Sequence, residues 1–497
     1  MESYDAIIIG GGLGGLVTAA TLSKEGLGVC VLEQHSTIGG CLQSFKRCGC
    51  NFDTGMHYVG SLNKGQIMHQ YFKYLGVIDD LKLQQLDPKG FDQFRFLDGT
   101  CYAHAAGYEN FIDTLSSKFP EEAKGIAEVA GIIKRVGQQI GVDVLRSGRV
   151  SSGGYRDLST SAYDEIARCV HSERLRSVLA GNSYLYAGNK ATTSLYEYAM
   201  ITHSNIEGTY AFIEGSQQLA DSLVRVIEAN GGKVQRNAKV DSIHLEGAHA
   251  EYVTLRTGQR MYAKWIVSSL HPAVTFSMLE NNTVYKKAFF TRMGSFRNTY
   301  GIFSTYLLMA PNSFKYVNQN NYLFNNSDAW EAYGTFKGCN IPSALLYMQP
   351  NSKGPYARVL TLLTPMPLKI YEKWINTTHA TRGEEYEDFK ERYSEALIDF
   401  AAQWFPTIRS CIERKFTATP LTFRDYTGTP TGSAYGIIKD YHNPMVTLLP
   451  AKTKISNLLI TGQNLNLHGC IGTAVSATVT CAEVLGEEYI TKRIGNA

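Results

Sequence analysis

The stretch Asp5-Ala-Ile-Ile-Ile-Gly-Gly-Gly-Leu-Gly-Gly15 constrains this chain more than any other: an apolar, strand-forming run enters a glycine loop, and an alanine-rich helix leaves it. Gly10, Gly12 and Gly15 set out G-x-G-x-x-G, with Gly14 among them. Such glycines permit a tight turn, close approach of the backbone to a pyrophosphate, and close packing of helix on strand. The helix, expected over 16–24, points its first N–H groups at that pyrophosphate. A second strand, Gly28-Val-Cys-Val-Leu-Glu33, ends in a carboxylate about twenty residues beyond the glycines and is followed by Gln34. A carboxylate there accepts both hydroxyls of an adenosine ribose and repels a 2′-phosphate, which argues against NADP as the resident dinucleotide. The spacing predicts an α/β chain with a Rossmann-type dinucleotide-binding domain.

At 497 residues the chain exceeds what one core supports, so a second domain is expected. Forty-eight basic and 45 acidic residues leave a formal charge of +3, no electrostatic footprint for nucleic acid. Of the ten cysteines, Cys41, Cys48 and Cys50 lie close together, but no second ligand pair with zinc spacing follows. They read as small residues in a reducing cytoplasm, with no metal. No uncharged run of 18 or more residues suits a bilayer, and acidic rather than basic residues precede the first strand, so no cleavable signal is read. Ile126, Val129, Ile133, Val136 and Ile140 recur at helical spacing, with Lys134 and Arg135 beside them. A core-packing helix with a solvated basic face is favoured over one lying on a membrane surface, so the protein is expected in the cytoplasm, at most peripheral to a membrane.

Further motifs follow in order. Gly39-Gly40 and Ser44 precede Asn51-Phe-Asp-Thr-Gly-Met-His-Tyr-Val-Gly60, and Gly208-Thr-Tyr-Ala-Phe-Ile-Glu-Gly-Ser-Gln-Gln-Leu-Ala220 leads to Gly231-Gly-Lys-Val-Gln-Arg-Asn-Ala-Lys-Val240. Ile266-Val-Ser-Ser-Leu-His-Pro272, Arg424-Asp-Tyr426, Gly432-Ser-Ala-Tyr-Gly436 and Leu459-Ile-Thr-Gly-Gln-Asn464 complete the series. These resemble the phytoene desaturase, carotenoid isomerase and retinol saturase superfamily of flavoproteins over nearly the whole chain, the retinol saturase branch nearest. Cys41 stands where many relatives carry arginine, and Asn464 where aspartate is usual. The resemblance implies non-covalent FAD, with Gly39, Gly40, Ser44, Gly55, Met56, His57, Val240, Gly462, Gln463 and Asn464 joining the fingerprint glycines, Glu33 and Gln34 around it. It also implies a flavin amine oxidase-like architecture: a discontinuous FAD domain from 1–75, 205–285 and 415–497, and a mixed α+β substrate domain from 76–204 and 286–414.

A helix expected from Gly472, with Thr473 in its first turn, presents a positive end to the flavin edge where charge collects on reduction. One fingerprint only is convincing. Gly428-Thr-Pro-Thr-Gly432 reads as a loop, so NAD(P)H is expected only as a transient reductant. The 30 tyrosines and 22 phenylalanines, clustered at Tyr184, Tyr186, Tyr196, Tyr198 and Tyr210, suit a pocket for a polyunsaturated molecule or an ordinary core. The resemblance implies a carotenoid- or retinoid-like isoprenoid. Saturating a double bond needs hydride plus an acid, and desaturation a base at the same place. His57 and Tyr58, backed by Glu214 and Tyr435, are the candidates for that proton transfer. The favoured reading is a retinol saturase-like reductase or phytoene desaturase-like dehydrogenase. Three rivals stand beside it: a redox-neutral cis–trans isomerase, a flavin-dependent amine oxidase, and a flavin-retaining lipid carrier.

Overall fold

The computed structural model describes residues 3–149, 154–325, 328–331, 340–351 and 354–497. Its first sheet is built around Ser3–Ile9, whose Ala6, Ile7 and Ile8 are wholly buried. Val29–Leu32 and Arg260–Ser268 flank that strand in parallel, and Lys233–Gln235 extends the sheet beyond Val29–Leu32. Arg260–Ser268 carries a different partner on each half of its other edge, His249–Leu255 antiparallel and then Leu458–Ile460 parallel. A near-continuous apolar sequence in the central strands is what a parallel sheet covered on both faces demands. The helix Leu13–Lys24 packs between Gln217–Ala229 and Gly469–Leu485. Its Gly14, Gly15, Ala19 and Ala20 are all buried, small side chains that let the three helices approach closely. The Rossmann-type reading of the fingerprint is borne out.

The second sheet runs Ile412–Ala418, Gly301–Met309, Val359–Met366, Ser343–Met348, Asn320–Phe324, Asp92–Phe96, Cys101–His104. All neighbours are antiparallel except Asn320–Phe324 with Asp92–Phe96. Alternate side chains take opposite faces. Phe303, Leu346 and Leu362 join the core under the helix Glu384–Ala402, while their neighbours Ile302, Leu345 and Leu363 line a cavity on the other face. The strands of the first sheet fall within 1–75, 205–285 and 415–497; those of the second fall within 76–204 and 286–414, save that Ile412–Ala418 runs past 414.

The helical spacing that begins at Ile126 resolves into two helices, Ala123–Gly137 and Val142–Arg146. The break has a physical origin in extended backbone at Gly141, and Gly137 sits so tightly on His203 that a Cβ there would lie 2.1 Å from its ring. The apolar stripe is buried as a core-packing helix requires, and Arg135 pairs with Asp157 at 2.9 Å. No helix among the described residues is long and apolar enough to cross a membrane, and no described cluster of His, Cys, Asp or Glu is placed to hold a metal ion. Cys339 lies outside the described residues.

Candidate functional site

The cradle follows from glycine geometry. Gly10 turns with φ +99°, and a Cβ on Gly15 would lie 2.0 Å from the Gly10 carbonyl oxygen. Gly14 abuts the backbone of Gly462, where a Cβ would come within 2.8 Å. At Gly12, by contrast, an added Cβ would meet nothing nearer than the Gly40 Cα at 4.0 Å, so this face is open to a ligand. Gly12, Gly14, Gly40 and Gly462 share the wall of one cavity of about 300 Å³. Glu33 is buried at the far side of the loop, its Oε2 accepting the Gly11 N–H at 2.8 Å and its Oε1 the His35 N–H at 2.9 Å. Each oxygen keeps acceptor capacity for a ribose hydroxyl.

Gly55, Met56, His57 and Tyr58 form a second wall, and Gln463, Asn464, Thr473 and Tyr435 a third. Ile302, Leu345, Leu363, Phe423 and Ile201 close it with apolar side chains. Both ring nitrogens of His57 lack a hydrogen-bond partner among the described residues, as does Ser433 Oγ on the same wall. Burial pushes the His57 imidazole down to about 4, so it is neutral at physiological pH. Orphaned polar atoms beside an open glycine cradle fit a polar, planar ring system carrying a pyrophosphate tail, as a flavin dinucleotide does. Asn464 Oδ1 accepts the Ile437 N–H at 3.0 Å, a bond that ionised aspartate would also accept, so this departure from the motif leaves the loop intact. Cys41 lies on the wall as well.

Other expected positions fall elsewhere. Glu214 is exposed at a turn with φ +65° and lies outside the cavity wall, so it is corrected as a proton-transfer candidate. Ser44 Oγ donates to Asp53 at 2.7 Å and Gly39 bridges to Gly12, both supporting the wall rather than lining it. Val240 and Gln34 belong to the opposite end of the loop, where Ala238 N–H donates to the Glu33 carbonyl at 2.7 Å. The helix Gly469–Leu485 begins three residues before the expected Gly472, because Gly472 is buried against Leu467 and cannot be its open end. Of the five clustered tyrosines only Tyr184 reaches the wall; Tyr186, Tyr196 and Tyr198 are core. Sequence reading did not single out Phe423, on the short helix Pro420–Thr427, or Thr429 and Ser433 in the loop after it, all of which line the wall.

A family model for an NAD(P)-binding Rossmann-like domain matches residues 8–75. The chain is 26% identical to the all-trans-retinol 13,14-reductase of Rattus norvegicus over 97% of its own length and 86% of the relative's. It is 24% identical to the neurosporene-forming phytoene desaturase of Cereibacter sphaeroides, over 87% and 85%. Among solved structures, an oxidoreductase from Methanosarcina mazei superposes with a TM-score of 0.64 at 17% identity, covering 96% of this chain and 99% of that one. The resemblance read from the motifs is borne out along nearly the whole chain.

Proposed function

We propose that this chain is an FAD-dependent oxidoreductase that acts on a carbon–carbon bond of a long apolar isoprenoid, retinoid- or carotenoid-like, most directly as a reductase of a conjugated double bond. One observation carries the reading: a single cavity joins the glycine cradle to the apolar face of the second sheet, with phenols and an imidazole where they meet. The similarity to a retinol reductase and a phytoene desaturase supports it. Gly12, Gly14, Gly40 and Gly462 would hold the pyrophosphate, Glu33 the ribose, and His57, Ser433 and the start of the helix Gly469–Leu485 the ring. Bound there, the flavin supplies or takes up hydride.

The protein's own residues handle the proton. His57, neutral by burial, is a poor acid and serves better as a hydrogen-bond partner to the ring. Tyr58 lines the cavity, its phenol held far above the ordinary value by burial, and its hydroxyl is bonded to that of Tyr322. A neutral phenol is a donor during saturation and, by reversal, the route for proton loss during desaturation. Ile302, Leu345 and Leu363 exclude water and align an apolar chain.

The test is direct. Protein loaded with FAD, reduced anaerobically and mixed with all-trans-retinol or a linear carotene should yield a product two hydrogens heavier as the flavin reoxidises. A mass-neutral product would establish isomerisation instead, peroxide release with amines an oxidase, and an unchanged reduced-flavin spectrum with every polyene would overturn the proposal.

A further inference from the structure

We infer that Glu197 and His468 are positioning residues: as a buried pair they hold the Tyr435 ring in place on the cavity wall, and so fix which double bond of a polyene is presented for reduction. This role rests on the proposed activity, reduction of a polyene in that cavity.

Each link is a direct contact. Glu197 Oε1 accepts from His468 Nε2 at 2.7 Å, with the His468 side chain 1% and the Glu197 side chain 5% exposed. The His468 ring lies against that of Tyr435, centroids 4.6 Å apart and planes tilted by 30°. Tyr435 lines the cavity that the cradle glycines share with Ile302, Leu345 and Leu363. Its backbone is held separately. The Tyr435 N–H donates to Thr299 Oγ1 at 3.1 Å, the Ala434 N–H to the Tyr300 carbonyl at 2.9 Å, and the Thr299 N–H to the Gly436 carbonyl at 2.8 Å. With the backbone fixed, packing against His468 restrains the ring. The bond to Glu197 restrains the imidazole in turn, because an imidazole turned over would set a carbon against the carboxylate and leave that carboxylate unpaired.

Anchoring a helix would not by itself call for these residues. His468 is the N-cap of Gly469–Leu485 yet gives that helix no side-chain hydrogen bond, where serine or aspartate would. Its Nδ1 has no partner among the described residues. A buried carboxylate–imidazole pair stabilises a fold little better than well-packed apolar side chains of similar volume, but it admits one geometry where they admit several. Glu197 stands in the first turn of Leu195–Glu207, whose Ile201, Ser204 and Asn205 line the same cavity, so the pair also registers that helix against the start of Gly469–Leu485. A phenol fixed on this wall limits how an apolar chain can slide past it. Displacement of a reacting carbon by about 1 Å is enough to cost most of its rate.

The experiment uses the FAD-loaded, reduced full chain with all-trans-retinol or, where that is not reduced, a linear carotene. It follows KM, kcat and the absorption spectrum of the product, which reports the conjugation that remains and hence the bond reduced. The unmodified protein should give one positional product. Glu197→Ala should raise KM at least about fivefold, change kcat less, and give a mixture of positional isomers. Glu197→Gln, whose amide oxygen still accepts the His468 proton, should rescue the single product. Tyr435→Ala should itself give the mixture, and adding Glu197→Ala to it should change nothing further. Where Glu197→Ala does not fold, Glu197→Leu combined with His468→Leu takes its place, since it leaves no bare buried charge. A mixture from the unmodified protein, a single product at unaltered KM from Glu197→Ala or the leucine pair, or full additivity with Tyr435→Ala would each overturn the positioning role while leaving the activity standing. Equal losses in the alanine and glutamine variants would overturn it too, tracing the effect to the charge that Lys439 feels from Glu197. Failure of the unmodified protein to reduce any polyene would remove the activity and the positioning role with it, before any variant is made.

Discussion

Gly15 illustrates how little freedom single positions have. A methyl group there would lie 2.0 Å from the Gly10 carbonyl oxygen, an overlap that only backbone movement relieves. Gly15→Ala should destabilise the protein by about 1–3 kcal/mol and abolish flavin retention, read by thermal unfolding and by the absorbance of the purified protein. His57 and Tyr58 are neighbours in sequence with opposite expected outcomes. Tyr58→Phe should lower turnover by roughly two orders of magnitude with the bound-flavin spectrum intact, whereas His57→Phe should weaken flavin binding and spare most of the chemical step. Asp92 makes a statement about pH. Its folded value is raised from an unfolded 3.8 to about 7, so the native state holds a proton the unfolded chain has lost. That contribution to stability is complete at low pH and is lost as pH rises through this window. Denaturant titrations of Asp92→Asn should therefore show a shallower fall between pH 4 and 7, with buried Asp53, raised to about 6, keeping its own share of that fall and the buried histidines His57 and His104 opposing it as pH drops below 6.5.

At the scale of elements, the turn that carries Gln463 and Asn464 into the cavity wall is fixed by one buried lysine, whose ammonium burial pushes down to about 7. Lys439 Nζ donates to the carbonyls of Thr447, Asn464 and Leu465, each at 2.8 Å, drawing the Gly462-Gln-Asn464 turn onto the segment behind Tyr435. Lys439→Met would leave those carbonyls without their donor; a loss of roughly 3 kcal/mol and faster flavin dissociation are expected, measured by unfolding and by dilution into apo-flavodoxin-type traps. The fingerprint loop and its flanking strands were legible in sequence because each depends on local chemistry, glycines where backbone must pass close and a carboxylate at a set distance, whereas the His57–Tyr58 wall was reached only through the family resemblance. Glu214 misled because a motif position says nothing of which way a turn faces. Gly472 misled because either glycine could open the helix, and only packing against Leu467 decides between them. Asp92 and Asn320 become partners through a strand pairing that joins residues more than two hundred positions apart, a register that sequence spacing does not encode.

Across the whole molecule, one sheet supplies the cradle and the other the apolar wall. Ile302, Leu345 and Leu363 face the cavity while Phe303, Leu346 and Leu362 face the core, so the cavity can be reshaped without disturbing the packed side. Leu345→Trp should raise KM for a carotene far more than it changes flavin content or unfolding midpoint. The same large-scale view bears on how the protein is made. Leu458–Ile460 pairs with Arg260–Ser268, and Gly469–Leu485 lies against Leu13–Lys24, so the glycine cradle is completed by residues made long after its first strand and helix. A nascent chain stalled on the ribosome short of residue 458 would expose an unsatisfied strand edge and a bare apolar helix face. Acquisition of colour should thus come late in translation, and chaperones should hold the unfinished chain until then.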